Sequence, residues 1–382
     1  MTQLPVFVEQ LRAIKETIIS NILLIGQTPA PTFEEAHRAE VFLERLSDAQ
    51  TDICATDDYN NPIGIIKGSS GGAKPPIFVV AHLDTFIAGD VDHNYVIRKN
   101  SITGPGVLDN SASVGVLASL PTIFQKLGLG FESDIVLAGV TQSIGRGNLQ
   151  GIRHLVKNWE GPIRGAVIIE AEKLGRLNYY SEGIIRCEID CKITAPGNWE
   201  QRHKPNAILI LNEVINEILA MKLPQRPRSR VIIGKIEGGF KHGEIAFDAR
   251  LGLEIQSDSD AMVKQMYSEI KDIVDGTSHE HNVALKLNVI STLNASTLKY
   301  RHPLVKSAVA VMKRLGITPV SESSESELSI FLANQIPAVT LGLTDGKNMH
   351  LGHASMKIDP LFNGLSQILG VIMAIDKGVC DE

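Results

Sequence analysis

Short, nearly uninterrupted runs of Val, Ile, Leu and Ala recur along the first 180 residues, each closed by Gly, Pro, Asn or a charge. They read PIGIIKG (62–68), PPIFVVAHLDTF (75–86), SDIVLAGVTQ (133–142) and GAVIIEAE (165–172). Strands that are apolar on both faces belong in a sheet covered on both sides. Between them, apolar residues return at helical spacing over 110–127 and 147–158. The alternation predicts an α/β core with a mostly parallel central sheet. Upstream, residues 6–48 carry two helical blocks broken by GQTPAPT (26–32).

Near residue 185 the pattern changes. IIRCEIDCKITAPG (184–197) alternates like a strand with one exposed face, and a helical run at 205–221 follows it. After the turn KLPQRPRSR (222–230) come two strand-like runs, VIIGKIEGG (231–239) and AFDARLGLEIQ (246–256). A helix at 258–275 and a last strand, ALKLNVISTL (284–293), complete a β-α-β-β-α-β order, a compact α+β domain in its own right. Beyond 298 the first pattern returns: a helix at 302–315, the run SESSESE (321–327), a further helix, the strand IPAVTLGL (336–343) and a closing helix from 359. We therefore expect a discontinuous core, 1–185 with 298–382, interrupted by an inserted domain at 186–297.

A chain of 382 residues suits two domains. Its 43% hydrophobic and 21% charged content describes a globular protein able to bury a core. Net charge −6 and the lack of a Lys/Arg-rich block argue against a nucleic-acid partner. Apolar runs of about ten residues are too short to cross a bilayer, so no membrane partner is expected. Four cysteines in a chain this long form no disulfide framework, and the expected compartment is the cytoplasm.

Four strand ends or loops carry side chains able to do chemistry. In VVAHLDT (79–85), His82 and Asp84 follow an apolar strand and project to one side of an extended chain. A carboxylate beside a ligating imidazole orients the ring. In GPGVLDNSASVG (104–115), Asp109 meets a helix start, with Ser111 or Ser113 available as local caps. VIIEAE (167–172) brings Glu170 to a strand end, and DGKNMHLGH (345–353) puts His350 and His353 in a loop. Each has a bland counterpart: an accidental H-x-D triplet, an N-cap, a solvated strand end, a surface histidine. Their order along one sheet, where ligand sites collect at strand ends, is more telling than any of them alone.

That order, with the insertion, resembles the zinc-dependent exopeptidases and deacylases that include peptidase T, carboxypeptidase G and succinyl-diaminopimelate desuccinylase. The resemblance covers nearly the whole chain. Aminopeptidases with a similar core share the look of Asp109–Ser113 but lack an insertion at this place. The resemblance implies that His82 and Glu170 bind one zinc and His350 a second. Asp109 would bridge the two, Asp84 would support His82, and the peptide after Asp109 would be cis. Paired metals activate a water and polarise the scissile carbonyl. Members often dimerise through the inserted domain, which implies a homodimer through a lid at 186–297.

The chain departs from that family at VTQSIGRG (140–147). The family carries two adjacent glutamates there, a general base and then a metal ligand. Here Gln142 stands at the base position and Ser143 at the ligand position. An amide cannot accept the proton, and a neutral hydroxyl is a poor zinc ligand. The residues expected to anchor substrate in the inserted domain, an Asn and an Arg, align with Gly243 and Gln256, with His242 and Arg250 close by.

Two readings follow. One is a metal-dependent hydrolase of peptide or N-acyl amino acid amide bonds, its missing carboxylate supplied by Glu172, Glu325 or Glu327. The other is a catalytically silent homologue that binds a small ligand or partner in the same cleft. His82, Asp109 and Glu170 preserve one complete ligand set, which implies about one zinc per chain rather than two, manganese or cobalt being alternative ions.

Overall fold

A computed structural model describes residues 3–193 and 205–381. It divides the chain into two compact units, 1–180 with 297–382, and 181–296. The stretch ITAPG within 193–197, read above as the end of a strand, lies outside the described residues from position 194 on.

The larger unit is built on a seven-stranded sheet. Its centre is four parallel strands in the order Ile135–Val140, Ile77–His82, Gly165–Glu172 and Ala338–Thr344. Antiparallel strands flank them: Pro62–Ile66 and Ile53–Thr56 at one edge, Leu177–Asn178 at the other. The strands Ile77–His82 and Ile135–Val140 are buried at every position. Parallel strands need both faces covered, which is why these segments contain no polar residue before their last position.

Helices supply the cover. Ala36–Asp48, Ala112–Leu127 and Asp359–Asp376 pack their apolar faces into one continuous core with the sheet. By length and mean hydropathy the stretch Val107–Leu127 is, among the described residues, the one that could span a bilayer, although no uninterrupted apolar run in it is long; 89% of its most apolar 18-residue window is buried inside the protein. It is the central core helix, with Gly115 pressed against the backbone of Ile22, where a Cβ would come within 2.5 Å.

The second unit is a four-stranded antiparallel sheet in the order Ser229–Gly238, Asp248–Ser257, Gly183–Lys192 and Ala284–Leu293. The helices Ala207–Ala220 and Asp260–His281 pack on one face. Cys187, Ile189 and Cys191 alternate with more exposed positions along Gly183–Lys192 and enter this second core, which is what the period-two pattern required.

Candidate metal centre

His82 is the last residue of its strand. Arg38 holds the chain that follows it. Its guanidinium is fully buried and donates to the carbonyls of Leu83 (2.8 Å) and Thr28 (Nε, 2.8 Å), and to Ser111 Oγ (3.1 Å). One side chain thus fixes the peptide between His82 and Asp84 and also the loop that follows Asp109. Burial lowers the Arg38 pKa to about 10, against the opposing charges of Tyr95, Asp84 and Glu35. A buried charge of this kind survives only where hydrogen bonds and counter-charges surround it.

Asp84 is fully buried. One oxygen, Oδ2, accepts from Thr32 Oγ1 (2.9 Å) and from the backbone N–H groups of Ser143 (3.0 Å) and Ile144 (2.8 Å). The other, Oδ1, lies 3.4 Å from His82 Nδ1, which is closer still, 3.0 Å, to the Asp84 carbonyl. Asp84 thus ties the His82 strand end to the loop carrying Gln142 and Ser143. Burial alone would raise its pKa; the hydrogen bond and charge of His82, with the donors of Ile144 and Thr32, bring it below the usual carboxylate value.

Asp109 sits just before the helix Ala112–Leu127 in an extended conformation, and the Asp109–Asn110 peptide is cis. The capping role considered for Ser111 and Ser113 is not realised: no side chain caps this helix, and Ser111 accepts from Arg38 instead. Glu170 lies within the strand Gly165–Glu172 rather than at its end. Asn110 anchors to the backbone on both sides of it, donating to the Ile169 carbonyl and accepting from the Ala171 N–H.

These supports bring three donors together. One atom each from His82, Asp109 and Glu170 lies within 4.8 Å of the others, with His82 Nε2 at 3.3 Å from Asp109 Oδ1. Burial lifts the Glu170 pKa to about 7, with the negative charges of Glu327 and Asp109 adding to it against His82 and Arg176. For His82, burial favours the neutral ring, yet its hydrogen bonds to Asp109 and Asp84 and the charges of Glu170 and Glu327 prevail and raise its pKa. An imidazole and two carboxylates converging at partly buried positions are in electrostatic conflict on their own. A divalent cation resolves that conflict, and the donor set suits zinc, manganese or cobalt.

His350 stands apart from this trio. Its side chain is 69% exposed, Nδ1 lies 3.9 Å from Asp109 Oδ2, and its ring meets Phe86 edge-on at 5.7 Å. His353 is exposed.

The loop after Val140 places Gln142 with φ 52°, in the left-handed region, and its N–H donates to Glu35 Oε1 at 2.8 Å. Gly147 is required beside it, since a Cβ there would meet the Gln142 carbonyl at 2.5 Å. Ser143 Oγ donates to Glu327 Oε1 at 2.6 Å. Glu172 is half-buried and Glu325 exposed, whereas Glu327 is 1% exposed. Glu35, buried with its pKa raised by desolvation, and Arg38 were both missed by sequence reasoning. A signal existed: Arg38 falls on the stripe Ala39, Phe42 and Leu46 that faces the core.

In the second unit, Arg250 binds Asp190 through Nε at 2.6 Å. Gln256 is buried, accepting from Arg230 and donating to Glu254, and His242 is exposed in the connection between two strands.

No family model matches the sequence, and no curated protein matches it. Solved structures do match in fold. Yeast dipeptidase Dug1p superposes with a TM-score of 0.80 at 13% identity over 98% of this chain and 99% of its own. A Staphylococcus aureus tripeptidase gives 0.74 at 17% over 95% and 99%. A dinuclear metal-binding peptidase of the M20 family from Bacillus subtilis gives 0.65 at 12% over 95% and 99%. The chain has the M20 peptidase fold. The match spans both units, and the M20 likeness is one of backbone course, since sequence identity is this low.

Proposed function

We propose that the protein is a metal-dependent hydrolase of peptide or N-acyl amino acid amide bonds. The observation that carries this reading is the convergence of His82, Asp109 and Glu170, three donors from three segments. The fold similarity to a dipeptidase, a tripeptidase and an M20 peptidase supports it. In that role His82, Asp109 and Glu170 hold about one cation per chain, zinc first, with manganese or cobalt as substitutes. When bound, such a cation polarises the scissile carbonyl and lowers the pKa of a water. Asp84 orients His82, Arg38 fixes the strand end, and Asn110 fixes Glu170. His350, close to Asp109 but exposed, closes the open side. The Gln142 amide offers hydrogen bonds to water or substrate but takes no proton.

The unit 181–296 serves in this reading as an inserted lid or dimerisation domain, with His242, Arg250 and Gln256 as its candidate substrate-binding residues. Its edge strand Ser229–Gly238 exposes Ile232 and Ile236, which supports a homodimer built along that edge. All four cysteines are free thiols, which supports the cytoplasm as its compartment.

A second reading, a silent binding protein on the same scaffold, is favoured by one observation: neither Gln142 nor Ser143 titrates near neutral pH. A panel of dipeptides and N-acyl amino acids, assayed with zinc, manganese or cobalt, separates the two. Turnover that requires metal and disappears in His82→Ala is the expected result. Absence of turnover across the panel overturns the hydrolase reading.

A further inference from the structure

Of the three glutamates in SESSESE, the fold buries one. Glu322 and Glu325 are exposed, while Glu327 is 1% exposed at the start of the helix Leu328–Ala333. The ordinary reason to put a carboxylate there is to cap the helix, yet its side chain makes no cap hydrogen bond. It turns instead to Ser143, whose Oγ donates to Oε1 at 2.6 Å across 184 positions of sequence. The other oxygen, Oε2, is buried with no partner. Leaving a buried acceptor unsatisfied costs about 1–3 kcal/mol, more when it is charged. An oxygen kept in that condition is an acceptor for a group that arrives later.

What arrives is set by the neighbours. Ser143, which holds Glu327 through Oγ, also donates its N–H to Asp84 Oδ2 at 3.0 Å, and Asp84 Oδ1 lies 3.4 Å from His82 Nδ1. Glu327 is thus tied through one residue to the carboxylate beside His82. It is not a fourth member of the donor set, which closes on His82, Asp109 and Glu170 alone among the described residues. Gln142 cannot take a proton, and Glu325 is exposed. Asp84 is buried beside the cluster too, but its Oδ2 is taken by three donors and its Oδ1 faces the His82 ring. Of the three glutamates in SESSESE, Glu327 is the one buried with an oxygen left for an incoming group.

We propose that Glu327 is the proton acceptor of the hydrolysis, held in position by Ser143; this rests on the hydrolase reading above. As the water oxygen adds to the scissile carbonyl carbon, one of its protons passes to Oε2. When the C–N bond breaks, that proton moves to the leaving nitrogen and the carboxylate is regenerated. The second water proton leaves with the product acid on its ionisation. Serine and glutamate from distant segments thus do together what one glutamate in the loop would do alone.

Glu327→Gln keeps the side-chain length and the acceptor for Ser143, and removes only basicity. Three measurements decide. Zinc binding by calorimetry should stay within about threefold of the parent, which a ligand would not allow. Turnover should fall about 10²–10⁴-fold in kcat with little change in KM, and Glu327→Asp should recover at least about tenfold of that loss. Third, an N-acyl aminoalkylboronic acid becomes tetrahedral by adding water and releasing a proton where no side chain bonds to boron directly. Boron-11 NMR should show the tetrahedral species with the parent and the trigonal one with Glu327→Gln. The proposal is overturned if Glu327→Gln turns over or forms the adduct like the parent, if it loses zinc, or if the parent itself forms no adduct. A parent that forms the adduct, lost in Glu327→Gln, while hydrolysing nothing in the panel supports Glu327 and removes the hydrolase reading instead.

Discussion

Asn110 grips the backbone on either side of Glu170: Nδ2 donates to the Ile169 carbonyl at 2.9 Å, and Oδ1 accepts the Ala171 N–H at 3.0 Å. Because Asn110 follows Asp109 directly, one carboxamide sets the spacing between two of the three candidate metal donors. Asn110→Ala leaves two buried backbone groups unpaired, at about 1–3 kcal/mol each. It should lower the melting temperature and weaken zinc binding about 10–100-fold, the usual effect of removing an orienting partner. Calorimetric zinc titration beside a thermal melt is the check. A lower melting temperature with unchanged zinc affinity would confine Asn110 to a structural role.

The two histidines should behave differently. His82 is buried among carboxylates, whereas His350 is 69% exposed at 3.9 Å from Asp109. His82→Ala should remove zinc binding at micromolar concentrations, while His350→Ala should keep it within about tenfold, as expected for a site completed by three protein ligands. Elemental analysis after dialysis against trace zinc should find about one equivalent in the parent. Two equivalents would mean that a second site is assembled around His350.

Restoring two carboxylates to the loop, Gln142→Glu with Ser143→Glu, brings a new anion beside Glu327, which Ser143 now contacts at 2.6 Å. Like charges at such range raise one another's pKa and repel. Without metal the double variant should melt below the parent. Added zinc should reverse the loss and load a second equivalent, whereas turnover should rise only modestly. A variant as stable as the parent in chelator would show that the carboxylates do not meet.

Zinc affinity should depend steeply on pH. Burial holds the Glu170 pKa near 7, above its ordinary 4.5, and His82 is also raised. A cation binds only the carboxylate and the neutral ring, so each proton must leave first. From Glu170 alone, affinity should fall about tenfold per pH unit below about 7, and the proton on His82 steepens this. The sign for stability is opposite in the metal-free protein. A carboxyl with a raised folded pKa loses its contribution as pH climbs from 4.5 toward 7, and a histidine with a raised pKa loses its own above the ordinary histidine range. The melting-temperature gain caused by zinc should therefore grow with pH. A gain independent of pH between about 5.5 and 8 would exclude Glu170 from the site.

Local order in the sequence reached as far as the strands and their ends. Continuous apolar runs such as Ile77–His82 and Ile135–Val140 can be satisfied only inside a sheet covered on both faces, so the central strands were legible, as was the change to period two in Gly183–Lys192. His82, Asp84 and Asp109 were legible for the same reason, since each follows where such a run or its glycine turn must stop. The tertiary structure decided everything that depends on distant segments meeting. Glu325 and Glu327 look alike in SESSESE, yet one is exposed and the other is buried against Ser143, 184 residues away. Arg38 had a place on a helix stripe, but its bonds to Thr28, Leu83 and Ser111 exist only after three segments pack around it. Hydrophobic periodicity reports which face of an element is buried; it carries no information about which polar group waits on the other side. That is set by burial and hydrogen-bond satisfaction in three dimensions, where one buried carboxylate oxygen without a partner separates Glu327 from every other glutamate in its run.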